Sequence, residues 1–162
     1  AVLSAHPSGR GPEVVASATA LWPESLHHLG MRLTDTGFRI FLSPELPHLV
    51  RRYLGPTLSK FLKPRGLTAH DISFWTVHPG GPKVLDAVGA SLGLPDRALQ
   101  SSREVLERCG NLSSATVFFI LRHLQESSPP SPGDLGIMVA FGPGVTCEVV
   151  LLRSRGWLSN QH

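Results

Sequence analysis

Three short stretches carry residues able to do chemistry. His78 stands in Val77-His78-Pro79-Gly80-Gly81-Pro82, directly after Ser73-Phe74-Trp75-Thr76-Val77, a run of strand formers. Ligand sites in α/β sheets gather just beyond the carboxyl ends of strands, and the paired glycines admit close approach of a ligand to the backbone. Asn111 lies in Cys109-Gly110-Asn111-Leu112-Ser113-Ser114, ahead of an apolar helix, where its amide serves a ligand or caps the helix. Ala140-Phe141-Gly142-Pro143-Gly144 joins two strands, either as part of a site or as a tight connection. Taken singly, each stretch has a purely structural explanation. The two cysteines, Cys109 and Cys147, form no C-x-x-C pair and read as small buried residues outside any nucleophile context. They fit a reducing compartment and give no sign of a zinc site.

Positioning these stretches requires a set of regular elements. Leu29, Met31 and Leu33 share one face and Phe38, Ile40 and Leu42 another, on either side of the turn residues Thr34-Asp35-Thr36-Gly37, which predicts a β-hairpin. Leu49, Val50, Tyr53, Leu54, Leu58, Phe61 and Leu62 recur at helical spacing, with Arg51, Arg52, Lys60 and Lys63 opposite, and a kink is expected at Gly55-Pro56. That basic face is either solvated or anion-binding. After the strand ending at Val77, a helix carries Val84, Leu85, Val88 and Leu92 and closes at Gly93. A second starts at the N-cap pairing Pro95-Asp96 and shows Leu99, Ser102, Val105, Leu106 and Cys109 on one side. A third follows Asn111, and its run Val117-Phe118-Phe119-Ile120-Leu121 predicts burial on every side. Strands from Leu135 to Phe141 and from Val145 to Leu152 end the pattern, and Glu126 to Asp134 reads as a surface loop. Such alternation predicts a layered α/β domain.

Composition narrows the function classes. The chain has 162 residues, 41% apolar, so it is long enough for one substantial core and is neither disordered nor fibrous. Fifteen Lys and Arg against twelve Asp and Glu give +3, too small and too scattered for a nucleic-acid footprint. No apolar run approaches the ~18 residues of a membrane span, so a cytoplasmic protein without a membrane or nucleic-acid partner is expected. Only 17% of residues are charged, against the ~25% usual for a soluble domain. With Ala rather than Met at position 1, this is read as the mark of a piece of something larger.

Order, spacing and flanking residues of the three stretches together resemble the C-terminal half of a type III polyketide synthase, the chalcone and stilbene synthase family. The matching runs are Trp75-Thr-Val-His78-Pro-Gly-Gly-Pro82-Lys-Val-Leu-Asp86, Ser102-Arg103-Glu104-Val-Leu, Gly110-Asn111-Leu-Ser-Ser-Ala115 and Phe141-Gly-Pro-Gly144. The resemblance extends from about Ala1, similar to the end of a Gly-Asp-Gly-Ala-Ala-Ala-type strand, to about Arg153, with Ala140 departing from the Gly of the plant enzymes.

The resemblance implies a thiolase-like layered fold, C-terminal half, with a mixed sheet packed between helices and a buried helix after Asn111. Residues 1–162 would form one chalcone/stilbene synthase-like C-terminal domain, with the nucleophilic cysteine in an N-terminal half outside this chain. It implies an acyltransferase that condenses malonyl-CoA decarboxylatively onto an acyl-CoA starter, with coenzyme A thioesters as substrates and no separate cofactor or metal. His78 and Asn111 match the family's His and Asn, which donate hydrogen bonds to the enolate and tetrahedral oxyanions; His78 would also hold the cysteine as thiolate. Leu29, Met31, Ile40, Ser113, Phe141 and Pro143 fall where substrate-cavity residues occur, with core packing as the other reading for Leu29, Met31, Ile40 and Ser113. Ile40 replaces a plant phenylalanine and Met31 a glycine, which suits a microbial-type enzyme. Gly80, Gly81 and Lys83 would meet coenzyme A, with a solvated lysine as the other reading for Lys83. The full enzyme is expected to be a homodimer, and this chain alone is expected to be inactive.

Two other readings compete. The ketoacyl-ACP synthase III family shares the fold, the His and the Asn, but usually follows its His with Gln-Ala-Asn where this chain has Pro79-Gly80-Gly81. A non-catalytic thiolase-fold assembly module would keep the loops as scaffold alone.

Overall fold

The structure is a computed structural model that describes residues 11–156. The likeness of Ala1 to the end of a preceding strand therefore lies outside the described residues.

Strand β1 (Pro12–Leu21) sets Ala16, Ala18 and Ala20 against the core while Ser17, Thr19 and Leu21 face outward. Sequence patterning did not reveal it, because its inward residues are small alanines instead of large apolar side chains. The hairpin follows as β2 (Leu29–Thr34) and β3 (Gly37–Leu42). Its register pairs Leu29 with Leu42, Met31 with Ile40 and Leu33 with Phe38. Directly opposed residues of an antiparallel pair point the same way, so the two apolar sets form one continuous face and not two. That face is bare: Met31 is 61% and Ile40 71% exposed.

Helix α1 (Leu46–Leu62) buries Leu46, Val50, Leu54, Leu58, Phe61 and Leu62. At Gly55-Pro56, the expected kink site, α1 continues as one helix and its backbone is tied to a hydroxyl of α2. Gly55 N–H donates to Ser91 Oγ at 3.1 Å, and Ser91 Oγ donates to Arg51 O at 3.3 Å. A hydroxyl thus bridges the two backbone groups of one helical rung.

Strand β4 (Phe74–Val77) is buried throughout, and helix α2 (Pro82–Leu92) ends at Gly93, whose φ of 63° is left-handed. Helix α3 (Gln100–Cys109) is entered through a 3-10 turn at Asp96–Leu99 and has no side-chain cap, so the expected Pro95-Asp96 cap is replaced by a tightened first turn. Another 3-10 turn, Ser113–Ala115, leads into helix α4 (Thr116–Ser127). Strands β5 (Leu135–Gly142) and β6 (Thr146–Ser154) complete the fold.

The four-stranded sheet runs β1-β6-β5-β4, with β4 parallel to β5 and the other pairings antiparallel. Helices α1 and α2 pack on the face that carries Trp75, Val77, Ile137, Val139, Val149 and Leu151. On the opposite face, Val105 of α3 and Ile120 and Leu124 of α4 pack with Phe74 and Leu152. The mixed sheet between helices is therefore as expected. The complete burial expected for the helix after Asn111 is corrected: α4 buries Thr116, Val117, Ile120 and Leu124, whereas Phe118 and Phe119 are 49% and 47% exposed. The sheet covers a single side of α4, and two consecutive aromatics cannot both face it. No helix among the described residues is long and apolar enough to cross a membrane.

Candidate functional site

His78 is held by the end of β4. Its own N–H continues the parallel ladder to Val139 O at 2.8 Å, and the preceding N–H, from Val77, donates to Ser102 Oγ at 3.2 Å. Alternation along the strand places His78 on the same face as Phe74 and Thr76, the face that α3 and α4 cover. The ring is half-buried, and burial pushes its pKa below the usual histidine value, so the neutral imidazole prevails. Nδ1 is buried without a hydrogen-bond partner, as is Thr76 Oγ1 two residues earlier.

After His78 the chain turns sharply. Gly80 adopts φ 58°, which a residue with a Cβ rarely does, while Gly81 is extended with open space where a Cβ would stand. Pro82 opens α2, and Lys83 is exposed in its first turn. The loop therefore leaves room beside Gly81 for a ligand.

Asn111 is exposed, and its Oδ1 accepts the backbone N–H of Ser113 at 2.8 Å. This closes an Asx turn that supports Ser113 at φ 56°. The start of α4 is tied by another group, since Thr116 Oγ1 accepts the N–H of Leu112 at 3.0 Å. Asn111 therefore shapes the entry loop and does not cap α4 itself. With Oδ1 occupied, the two N–H bonds of its amide remain as donors.

Helix α4 packs on the sheet face that carries Phe74. His123, Leu124 and Ser127, late in α4, line one cavity with Ser73, Phe74 and Trp75 at the start of β4. Helix α4 therefore runs back against β4, which directs its Asn111 end toward the His78 end of the strand.

The hairpin and the Gly142-Pro143-Gly144 loop also meet. Gly144 N–H donates to Leu29 O, and Ser25 Oγ donates to Gly144 O, both at 2.8 Å. Gly144 itself has φ 72°, and a Cβ there would stand 3.2 Å from Leu26 Cδ2. Of the expected cavity residues, Leu29 is half-buried and packs against the core, while Met31, Ile40, Ser113 and Pro143 are exposed. Phe141 is buried, its ring 5.5 Å from that of Trp22.

The cysteines differ from each other. Cys147 is buried in β6, and burial together with the Glu148 charge pushes its pKa up to about 12, which leaves an inert thiol. Cys109, expected to be buried on the apolar side of α3, is exposed because the helix ends there. Among the described residues no cluster of three His, Cys, Asp or Glu could hold a metal ion.

Ser102 is a site-supporting residue that sequence reasoning did not single out. The available signal was a hydroxyl in an otherwise apolar stripe with Leu99 and Val105. A fully buried hydroxyl needs a partner, and its partner is the strand edge beside His78.

Comparison with known proteins adds the family context. The family model for chalcone and stilbene synthases, C-terminal domain, matches residues 13–156. The chain is 46% identical over 142 residues to a 1,3,6,8-tetrahydroxynaphthalene synthase of Streptomyces peucetius subsp. caesius, covering 88% of this chain and 38% of that protein. It is 34% identical over 140 residues to a putative chalcone synthase of Bacillus subtilis (strain 168), covering 86% of this chain and again 38% of the relative. Among solved structures it superposes on the 1,3,6,8-tetrahydroxynaphthalene synthase of Streptomyces coelicolor A3(2), a bacterial type III polyketide synthase, with a TM-score of 0.85 and 31% identity. That match covers 91% of this chain and 42% of the other. PKS-I from the brown alga Ectocarpus siliculosus gives a TM-score of 0.80 at 30% identity, covering 88% and 39%. The chain thus spans well under half the length of each relative.

Proposed function

The chain belongs to the chalcone and stilbene synthase family as its C-terminal domain, and we propose that it completes a condensing active site by donating hydrogen bonds from His78 and Asn111 to oxyanions. What supports this reading is the course of α4, whose late residues lie beside the start of β4 so that its Asn111 end is directed toward His78, together with a lowered imidazole pKa and an Asn111 amide engaged only through its oxygen.

The substrates proposed are coenzyme A thioesters, and no further cofactor is required. Loss of CO2 from malonyl-CoA breaks the bond between its carboxyl and methylene carbons, and the electron pair passes into an enolate. The enolate carbon attacks an acyl thioester carried on a cysteine of an upstream half. The tetrahedral oxyanion then collapses with departure of the thiolate, and the new carbon–carbon bond remains. Both anions need donors fixed in advance in a dry pocket, each contributing about 2.7–4 kcal/mol to the transition state. In this chain those donors are a neutral His78 N–H and the Asn111 amide. A thiolate brought beside His78 would raise the imidazole pKa, opposing the effect of burial.

Leu29, Met31, Ile40, Ser113, Phe141 and Pro143 are proposed to bound the space for the growing chain, with the bare hairpin face as its apolar wall. Gly80, Gly81 and Lys83 are proposed to meet coenzyme A, Gly81 through its open surroundings and Lys83 through its charge. The exposed Phe118 and Phe119 fit burial against the upstream half, and the complete enzyme is proposed to be a cytoplasmic homodimer. The test is malonyl-CoA decarboxylation by this chain joined to a cysteine-bearing upstream half, with His78→Ala and Asn111→Ala compared against wild type.

A further inference from the structure

Two consecutive residues of α3 grip the two flanks of the His78 loop. Ser102 is fully buried, and its hydroxyl accepts the N–H of Val77 at 3.2 Å on the outer edge of β4. Arg103 reaches the other way, its Nη2 2.7 Å from Asp86 Oδ1 in α2. Between Val77 and Asp86 lie only the loop and the first turn of α2.

Edge strands leave a row of backbone groups without strand partners, and β4 is the edge of this sheet. Its inner side is fixed by the ladder to β5, ending with His78 N–H to Val139 O. Its outer side at Val77 depends on the Ser102 hydroxyl. Losing that acceptor would leave the buried N–H of Val77, the residue before His78, unpaired.

We propose that Ser102, with Arg103, is a positioning residue for His78: α3 clamps the end of β4 and the start of α2 and so fixes where the imidazole points. The proposal rests on the reading of His78 as an oxyanion donor for its catalytic consequence, but the clamp itself is a statement about the ring's placement. Catalytic donors tolerate little misplacement, and a shift of about 1 Å costs up to a hundredfold in rate.

The test uses the complete enzyme, with this chain joined to a cysteine-bearing upstream half, and reads two quantities. Ser102→Ala is expected to move or broaden the His78 imidazole resonances and to lower kcat for malonyl-CoA decarboxylation by roughly tenfold to a hundredfold, with KM unchanged. Ser102→Thr, which keeps the hydroxyl, is expected to restore both. Unmoved imidazole resonances in Ser102→Ala would overturn the clamp. Resonances that move in Ser102→Ala, combined with full activity in His78→Ala, would sustain the clamp and overturn the donor reading of His78. An equal loss of kcat in Ser102→Ala and Ser102→Thr, with the ring unmoved in both, would assign Ser102 a packing role alone.

Discussion

Asn111 Oδ1 accepts the backbone N–H of Ser113 at 2.8 Å, and this bond fixes which end of the amide is free to meet a ligand. It also supports Ser113 at φ 56°, a conformation that costs energy for a residue with a Cβ.

This relationship separates two substitutions. Asn111→Asp keeps an oxygen for the Ser113 N–H but removes both amide donors. It is expected to retain near-wild-type thermal stability while losing decarboxylation. Asn111→Ala removes the turn as well, and is expected to lose about 1 kcal/mol of stability in addition. Paired denaturation and activity measurements check the split.

Burial of His78 carries a signed consequence for pH. Its folded pKa lies below the unfolded value near 6.5, so below that pH the unfolded chain binds more protons than the folded one. The His78 contribution is present above about pH 6.5 and is lost as pH falls through the lowered folded value. Denaturant titrations from pH 7.5 to 5 should show stability falling more steeply for wild type than for His78→Gln. Parallel curves would contradict the account.

Thiol reactivity should divide the two cysteines. Cys109 is exposed, whereas Cys147 is buried with its pKa pushed up to about 12. Native protein is expected to titrate one thiol rapidly with a disulfide reagent, and Cys109→Ser should abolish that phase. Both thiols should react once the protein is denatured.

The Ser91 hydroxyl bridge to α1 predicts a cost for Ser91→Ala. Removing the bridging hydroxyl takes away the acceptor of the part-buried Gly55 N–H and the donor to Arg51 O, at about 0.5–1.5 kcal/mol. Ser91→Thr offers the hydroxyl again and is expected to recover part of the loss in the same melting experiment.

The elements that position the site were largely legible because each obeys a strong local rule. The hairpin follows from Gly37 between two alternating runs, and the end of α2 from Gly93. The stop before His78 follows from Pro79. What escaped depends on partners distant in sequence. Strand β1 buries only alanines, so its pairing with β6 leaves little trace in patterning. Burial of α4 was overestimated because apolar composition does not say how many neighbours a helix has, and Phe118 and Phe119 face away from the sheet.

The site shows the same division. His78 and Asn111 stood out by residue type and by flanking glycines. Asn111 as a cap of α4 was a local guess: the helix starts after Ala115 with no side-chain cap, and the Asn111 side chain holds the loop ahead of it instead. The grip of Ser102 on Val77 joins residues 25 positions apart, and only a polar residue within an apolar stripe hinted at it.

The central claim is that His78 and Asn111 are the oxyanion donors of a decarboxylating site. The most direct measurement is the rate of CO2 release from malonyl-CoA by this chain joined to a cysteine-bearing upstream half. His78→Ala and Asn111→Asp should each lower that rate about 10²- to 10³-fold, the usual loss for one oxyanion donor. Near-wild-type rates in both variants would contradict the account.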